Sequence, residues 1–132
     1  MGKSGNSRRS VLLVEDECLV LTELASEMER AGWAVIEASS GEGAINHLRN
    51  GEQIDLLVTD IQLAGYLTGW DVAETARKTR PELPVVYTSG NVLNRARKVA
   101  GSVFLSKPCQ PSEVANVGDK LVERTRSRNG KA

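Results

Sequence analysis

The sequence predicts an α/β fold in which a parallel sheet of five strands is covered by helices on both faces, a doubly wound (βα)5 arrangement. Five short apolar runs recur along the 132 residues, and each is followed by a segment whose apolar residues have helical spacing. The runs are continuous rather than alternating, which is typical of strands that are buried on both faces. Strands that alternate with helices in this way form parallel sheets with right-handed crossovers.

The elements follow one another without interruption. The predicted strands are, in chain order, Val11–Val14, Trp33–Ala38, Leu56–Thr59, Val85–Tyr87 and Val103–Leu105. The helical stripes between and after them are Leu21, Leu24, Met28 and Ala31; Ala44, Ile45 and Leu48; Val72, Ala73 and Ala76; Val92, Ala96, Val99 and Ala100; and Val114, Val117 and Leu121. Gly32, Gly51 and Pro81 follow the first three helices, and Pro111 suits the first turn of the last.

Length and charge restrict the organisation of the chain. We expect residues 10–123 to form one domain, because single domains cluster near 100–150 residues. Residues 1–9 and 124–132 are polar and lack periodicity, so they are predicted to be disordered tails, the second of them basic. Lys plus Arg equal Asp plus Glu at 17 each, which argues against a general nucleic-acid binder.

The sequence lacks the patterns of a membrane span, a signal peptide, a zinc site and a disulfide framework. No apolar run approaches the ~20 residues that span a bilayer, and the first ten residues do not resemble a signal peptide. We therefore expect a cytoplasmic protein without a membrane partner. Cys18 and Cys109 are isolated, so they suggest neither a zinc site nor a disulfide.

Polar side chains end four of the five predicted strands. Glu15 and Asp16 follow the first strand, Asp60 the third, Ser89 the fourth and Lys107 the fifth. Because sites in open α/β sheets lie at the carboxyl ends of the strands, we expect these side chains to converge. Clustered carboxylates repel one another without a cation, and Mg²⁺ prefers oxygen ligands, so Mg²⁺ is the predicted cofactor. Asp60 is then a candidate nucleophile for an acyl phosphate, with Lys107 and Ser89 contacting the phosphoryl oxygens.

Four motifs occur in a fixed order at the ends of predicted strands, namely VLLVEDE, LLVTDIQLAG, PVVYTSG and FLSKP. Together they resemble the receiver domain of bacterial two-component response regulators, from about Val11 to Leu121. The resemblance implies a flavodoxin-like sheet with strand order 2-1-3-4-5. It also implies a sensor histidine kinase or a histidine phosphotransfer protein as the phosphoryl donor, an unidentified downstream protein target, and room for a weak homodimer.

The resemblance assigns metal and phosphoacceptor roles to the residues after the first and third strands. Asp60 matches the phosphoacceptor aspartate, which is also a metal ligand. Glu15 and Asp16 match the acidic pair that holds Mg²⁺, with Asp16 the more direct ligand. Gln62 lies where a main-chain carbonyl completes the metal site. Taken alone, the acidic pair could simply favour the start of the first helix.

Further roles fall on the fourth and fifth strands. Ser89 matches the hydroxyl that moves toward the phosphoryl group, although Thr88 beside it is a competitor. Lys107, before Pro108, matches the lysine that pairs with a phosphoryl oxygen. Phe104 matches the aromatic switch residue that turns inward when the hydroxyl moves, and it also suits the core.

The sequence departs from the family pattern at three places. Ala64 stands where a proline is common in the family, and the link from Ala64 to Gly69 is one residue longer than in the family pattern. Ser89 and Lys107 are 18 positions apart, which is short for the family and indicates an abbreviated fourth helix. We expect the third departure to alter the usual partner or dimer surface and none to alter the phosphoacceptor chemistry.

The sequence favours a stand-alone receiver that acts as a phosphorylation-controlled switch rather than as a conventional enzyme. One alternative is a receiver module cut from a hybrid kinase or a DNA-binding regulator. A degenerate receiver that only binds proteins is disfavoured by the complete set of polar residues. A Mg²⁺-dependent phosphatase with an aspartate nucleophile would carry Asp-x-Asp after the first strand, whereas here the nucleophile follows the third and position 62 is Gln.

Overall fold

The structure, a computed structural model, describes residues 8–90 and 95–129. Its strands are β1 (Ser10–Val14), β2 (Ala34–Ala38), β3 (Leu56–Asp60), β4 (Val85–Ser89) and β5 (Val103–Ser106). Its α-helices are α1 (Cys18–Arg30), α2 (Gly41–Arg49), α3 (Gly69–Thr79) and α4 (Pro111–Asn129). A short 3₁₀ turn, Arg95–Arg97, lies between β4 and β5.

All five strands are parallel and lie in the order β2-β1-β3-β4-β5, which confirms the predicted fold class and strand order. β3 is the central strand, and all five of its residues are buried. Its apolar run Leu56–Val58 suits a strand that is covered by helices on both faces. Neighbouring strands end nearly level. Val14 pairs with Thr59, Asp60 with Thr88, and Ser89 with Ser106. The residues that follow these strands therefore meet at one edge of the sheet.

Two apolar layers hold the helices on the sheet. One face packs under α2 and α3 and includes Trp70 and Tyr87, whose ring centroids lie 4.7 Å apart. The other face packs under α1 and α4 and includes Trp33, which is fully buried. No helix in residues 8–90 and 95–129 is long and apolar enough to cross a membrane.

The predicted fourth helix is wrong over the residues described, and Val92 lies outside them. Where the stripe Ala96, Val99 and Ala100 predicted an α-helix, the chain makes only the 3₁₀ turn. Contacts to other elements hold this connection instead. The Val99 amide donates to the Tyr87 hydroxyl oxygen at 3.1 Å, and the Arg77 guanidinium donates to the Ala100 carbonyl at 2.7 Å.

The expectation of a disordered tail from residue 124 is also wrong for residues 124–129, which continue α4. The apolar stripe ends at Val122, but neither Gly nor Pro follows before Gly130 to stop the helix. Arg126 and Arg128 lie in the last turn, where positive charge suits the helix dipole. The expected N-terminal tail is outside the described residues up to residue 7, as are residues 130–132. For Arg9 the expectation of disorder is wrong, because its guanidinium pairs with Asp119 at 2.9 Å and its carbonyl accepts from the Ala34 amide at 2.8 Å. At β2, Trp33 precedes the strand because its amide still donates to the Met28 carbonyl at 3.0 Å.

Candidate functional site

Three carboxylates predicted from the strand ends do converge. One oxygen each from Glu15, Asp16 and Asp60 lie within 4.8 Å of one another. The parallel pairing of β1 and β3 brings them together, because both strands end at the same edge. Glu15 is 1% exposed and Asp60 is 8% exposed, whereas Asp16 is exposed to solvent. The cluster therefore consists of two buried carboxylates and one exposed carboxylate, Asp16, at its mouth.

Lys107 pairs with the two buried carboxylates. Its Nζ donates to Glu15 Oε1 at 3.0 Å and to Asp60 Oδ2 at 3.1 Å. Burial acts to lower the pKa of Lys107, but the hydrogen bonds to both carboxylates outweigh it and hold that pKa above its ordinary value. Burial also raises the pKa of Glu15, and the hydrogen bond from Lys107 opposes that rise. The ammonium thus stabilises two carboxylates that would otherwise repel each other.

Main-chain amides donate to one oxygen of each carboxylate. The Glu17 amide donates to Glu15 Oε2 at 3.1 Å, and the Gln62 amide donates to Asp60 Oδ1 at 3.4 Å. The Ala64 amide donates to Asp16 Oδ2 at 3.0 Å. The main chain of Gln62 therefore lies beside the cluster. The Ala64 contact was missed, because a main-chain donor carries no side-chain signal in the sequence.

Gly69 supports the backbone of Asp60 from below. Its amide donates to the Ile61 carbonyl at 2.8 Å. A Cβ at position 69 would lie 2.2 Å from the Asp60 carbonyl oxygen and 2.8 Å from Ile61 Cα. Only glycine allows helix α3 to begin this close to the strand that carries Asp60.

The fourth strand offers two hydroxyls with different surroundings. Ser89 is 2% exposed, and its Oγ is buried without a hydrogen-bond partner among the described residues. Thr88 is equally buried but lines, with Glu15 and Lys107, the groove described below. The Lys107 amide donates to the Ser89 carbonyl at 2.9 Å, so the main chains of β4 and of the lysine loop are joined. A buried hydroxyl without a partner is costly and is a feature of sites that receive a ligand.

Phe104 lies outside the carboxylate cluster, half-buried against the layer under α2 and α3. The Arg95 guanidinium carbon stands 4.0 Å from the centre of its ring, a cation–π contact. Arg97, two residues on, bonds Glu74 at 2.7 Å and Asp71 at 3.1 Å. These contacts place Arg95 over Phe104 and join Arg97 to α3. No pattern in the sequence indicated them, because arginines in a polar segment usually only face solvent.

An apolar groove opens beside the cluster. Its volume is about 370 Å³, and it runs between the starts of α1 and α4. Its apolar walls are Val20, Leu24, Pro108, Cys109 and Val114, with Glu15, Thr88 and Lys107 at the end nearest Asp60. Burial raises the pKa of the Cys109 thiol, which suits its place in an apolar wall.

Comparison with known proteins gives a consistent family. Residues 11–117 match the family described as the response regulator receiver domain. The chain is similar to the alkaline phosphatase synthesis transcriptional regulatory protein PhoP of Bacillus subtilis (strain 168), with 32% identity over 111 residues, 80% of this chain and 45% of that protein. It is also similar to the sensor kinase CckA of Brucella abortus (strain 2308), with 28% identity over 120 residues, 87% of this chain and 13% of that protein. The chain thus spans less than half the length of both relatives.

A solved structure shows the same architecture. The crystal structure of a response regulator receiver protein from Sinorhizobium medicae WSM419 superposes with a TM-score of 0.87 at 32% identity. The match covers 92% of this chain and 99% of that one.

Proposed function

The chain belongs to the response regulator receiver domain family, and on that premise we propose that Asp60 accepts a phosphoryl group from a sensor histidine kinase or a histidine phosphotransfer protein. The observation that carries the proposal is the convergence of Glu15, Asp16, Asp60 and Lys107, from three separate strand ends, on one edge of the sheet. No single motif would carry it. The protein would act as a signalling switch, because its output is a change of surface rather than release of a product.

The donor set fits Mg²⁺. Three carboxylates within 4.8 Å offer hard oxygen ligands, and the exposed position of Asp16 leaves the mouth open to water and to a phosphoryl oxygen. Glu15, Asp16 and Asp60 would hold the ion, with the Gln62 carbonyl as the fourth protein ligand. When bound, Mg²⁺ supplies positive charge opposite the phosphoryl oxygens.

Asp60 would act as the nucleophile in phosphotransfer. One of its oxygens attacks the phosphorus of a phosphohistidine, the P–N bond breaks, and its electron pair remains on the donor's imidazole nitrogen. Lys107 then exchanges its bond to Asp60 Oδ2 for one to a phosphoryl oxygen, while its bond to Glu15 keeps the ammonium in place. The unpartnered Ser89 hydroxyl can donate to a second phosphoryl oxygen. Slow attack of water on phosphorus would later release phosphate and restore Asp60.

The switch would pass from Ser89 to Phe104. Movement of the Ser89 hydroxyl toward the phosphoryl group vacates space on the face that carries Tyr87 and Phe104, and the Phe104 ring turns inward to fill it. For that rotation Phe104 must leave the Arg95 guanidinium that lies 4.0 Å above its ring. The surface around Arg95 and Phe104 would therefore change with phosphorylation, and a downstream protein would bind one of its two states.

The donor protein would dock over the apolar groove, because its histidine must reach Asp60 and the groove ends beside Lys107. Leu19 lies on the same helix as the groove wall and is 79% exposed. We expect Leu19→Ser to slow phosphotransfer from a kinase while leaving uptake from acetyl phosphate unchanged.

Mass spectrometry after incubation with acetyl phosphate, with and without Mg²⁺, tests the phosphoacceptor role. We expect one added phosphate on Asp60 that requires Mg²⁺. Asp60→Asn should abolish it, whereas Asp119→Asn, a carboxylate-to-amide change beside Trp33, should not. Phosphate uptake by Asp60→Asn at the normal rate would contradict the proposal.

The larger relatives favour a second form of the same function, in which this chain is the receiver module of a longer regulator. We propose the stand-alone form, located in the cytoplasm with its kinase. An antibody against the domain, applied to extracts of the source cells, should detect a soluble species near 14.3 kDa. A single species of several times that mass would support the module form.

A further inference from the structure

Asp16 is held in place by a different element from the other two carboxylates. Its Oδ2 accepts from the Ala64 amide at 3.0 Å, a contact between residues 48 positions apart. Among the described residues, this is the one hydrogen bond that the Asp16 carboxylate makes. Glu15 and Asp60, by contrast, share Lys107 and have a further amide each.

The contact determines where Asp16 points. The side chain is exposed, so without a partner it would sample several rotamers in solvent. With Oδ2 on the Ala64 amide, the carboxylate nevertheless keeps an oxygen within 4.8 Å of those of Glu15 and Asp60. A carboxylate oxygen has more than one lone pair, so an amide bond and a metal bond are compatible on the same group.

We propose that the Ala64 main-chain N–H is a positioning group for the metal site: it holds Asp16 toward Glu15 and Asp60 before a divalent cation binds. The inference rests on the metal site of the proposed function. Every residue type except proline carries this N–H. Ala64 therefore supplies a donor in the loop after Asp60.

Removal of the N–H with little change in side-chain size tests the inference. Mg²⁺ is titrated calorimetrically into the unmodified chain, Ala64→Pro and Ala64→Ser. Loss of a group that orients a ligand weakens binding, and for one exposed hydrogen bond we expect a factor of about three to ten in Ala64→Pro. Ala64→Ser keeps the amide and should bind within about twofold of the unmodified chain. Equal affinity in all three proteins would overturn the inference, as would an equal loss in both variants.

The metal site and the role of the Ala64 amide can be refuted separately. If the unmodified chain does not bind Mg²⁺, the metal site of the proposed function is refuted. If it binds and Ala64→Pro binds equally well, only the role of the Ala64 amide is refuted.

Amide hydrogen exchange provides a measurement that does not depend on the folding of Ala64→Pro. In the unmodified chain without Mg²⁺, the Ala64 amide should exchange about tenfold more slowly than an unprotected amide, and Asp16→Ala should remove that protection. An Ala64 amide that exchanges at the unprotected rate in the unmodified chain would overturn the inference.

Discussion

Substitution of Gly69 by alanine should displace the phosphoacceptor itself. A Cβ at this position would lie 2.2 Å from the Asp60 carbonyl oxygen, and ordinary contact begins near 3.4 Å, so about 1.2 Å of movement is required. The helix cannot yield that distance easily, because the Gly69 amide is bonded to the Ile61 carbonyl. Neither can β3, which is paired on both sides.

The size of the effect follows from two terms. Overpacking of this kind costs about 1–3 kcal/mol. Gly69 is the first residue of α3, where alanine does not gain the helix propensity of an interior position, so we expect a net loss of about 1–3 kcal/mol in the free energy of unfolding. Displacement of a reacting group by about 1 Å can reduce a rate by about 10²-fold. The rate of phosphorylation should therefore fall more than stability does.

Urea unfolding and the rate of phosphate uptake from acetyl phosphate measure the two terms separately. Gly43→Ala is the matched control, because a Cβ there meets only the Ser40 hydroxyl at 3.3 Å and the Ala38 side chain at 3.9 Å. It should leave the rate unchanged and stability equal or slightly higher. If Gly69→Ala is as stable as the unmodified chain and is phosphorylated at the same rate, the steric reasoning is refuted. If it loses stability only, displacement of Asp60 is refuted.

Three further predictions concern buried polar groups. Lys107→Met should lower the free energy of unfolding by about 1–3 kcal/mol at pH 8 and by less at pH 5. Without the ammonium, the pKa of the buried Glu15 rises further, so at pH 5 this carboxyl can be protonated and the unpaired charge is removed. Urea unfolding at both pH values checks this, and an equal loss at both would contradict it. Ser89→Ala should slow phosphate uptake but leave stability equal or higher by up to about 1 kcal/mol, since it removes an unpartnered hydroxyl; a larger effect of Thr88→Val on uptake would assign the role to Thr88. Burial raises the pKa of Tyr87 above 10.0, so the free energy of unfolding that this group contributes is fully present below pH 10 and is lost as the pH rises further. Tyr87→Phe should lack this part of the decline at high pH. Parallel profiles of unfolding free energy against pH in the two proteins would contradict the prediction.

Sequence patterns predicted the structure correctly where one element carries its own pattern. The apolar runs that became β1 and β3 are continuous and bounded, so the residues after them, Glu15 and Asp60, could be placed at one edge from the chain's residues alone. The prediction was wrong where tertiary contacts overrode a helical periodicity. The stripe around Ala96 and Val99 had helical spacing, yet only a 3₁₀ turn formed there, because contacts to Tyr87 and α3 fix that backbone.

The boundary of α4 shows the opposite error. The polar composition from residue 124 onward predicts disorder, whereas residues 124–129 continue α4, because a helix that is already nucleated propagates through polar residues that include neither glycine nor proline. A polar composition indicates that a segment is exposed to solvent, but it does not indicate that the backbone of that segment is irregular.

The sequence by itself determined which residues end the parallel strands, since strand ends follow from local apolar patterns and parallel pairing carries those ends to a common edge. Only the tertiary structure decided the partners at that edge. Lys107 meets Glu15 across 92 positions and Asp60 across 47, and Ala64 meets Asp16 across 48. Contacts at such separations depend on how the loops pack against the sheet, and no periodicity within a single element encodes them.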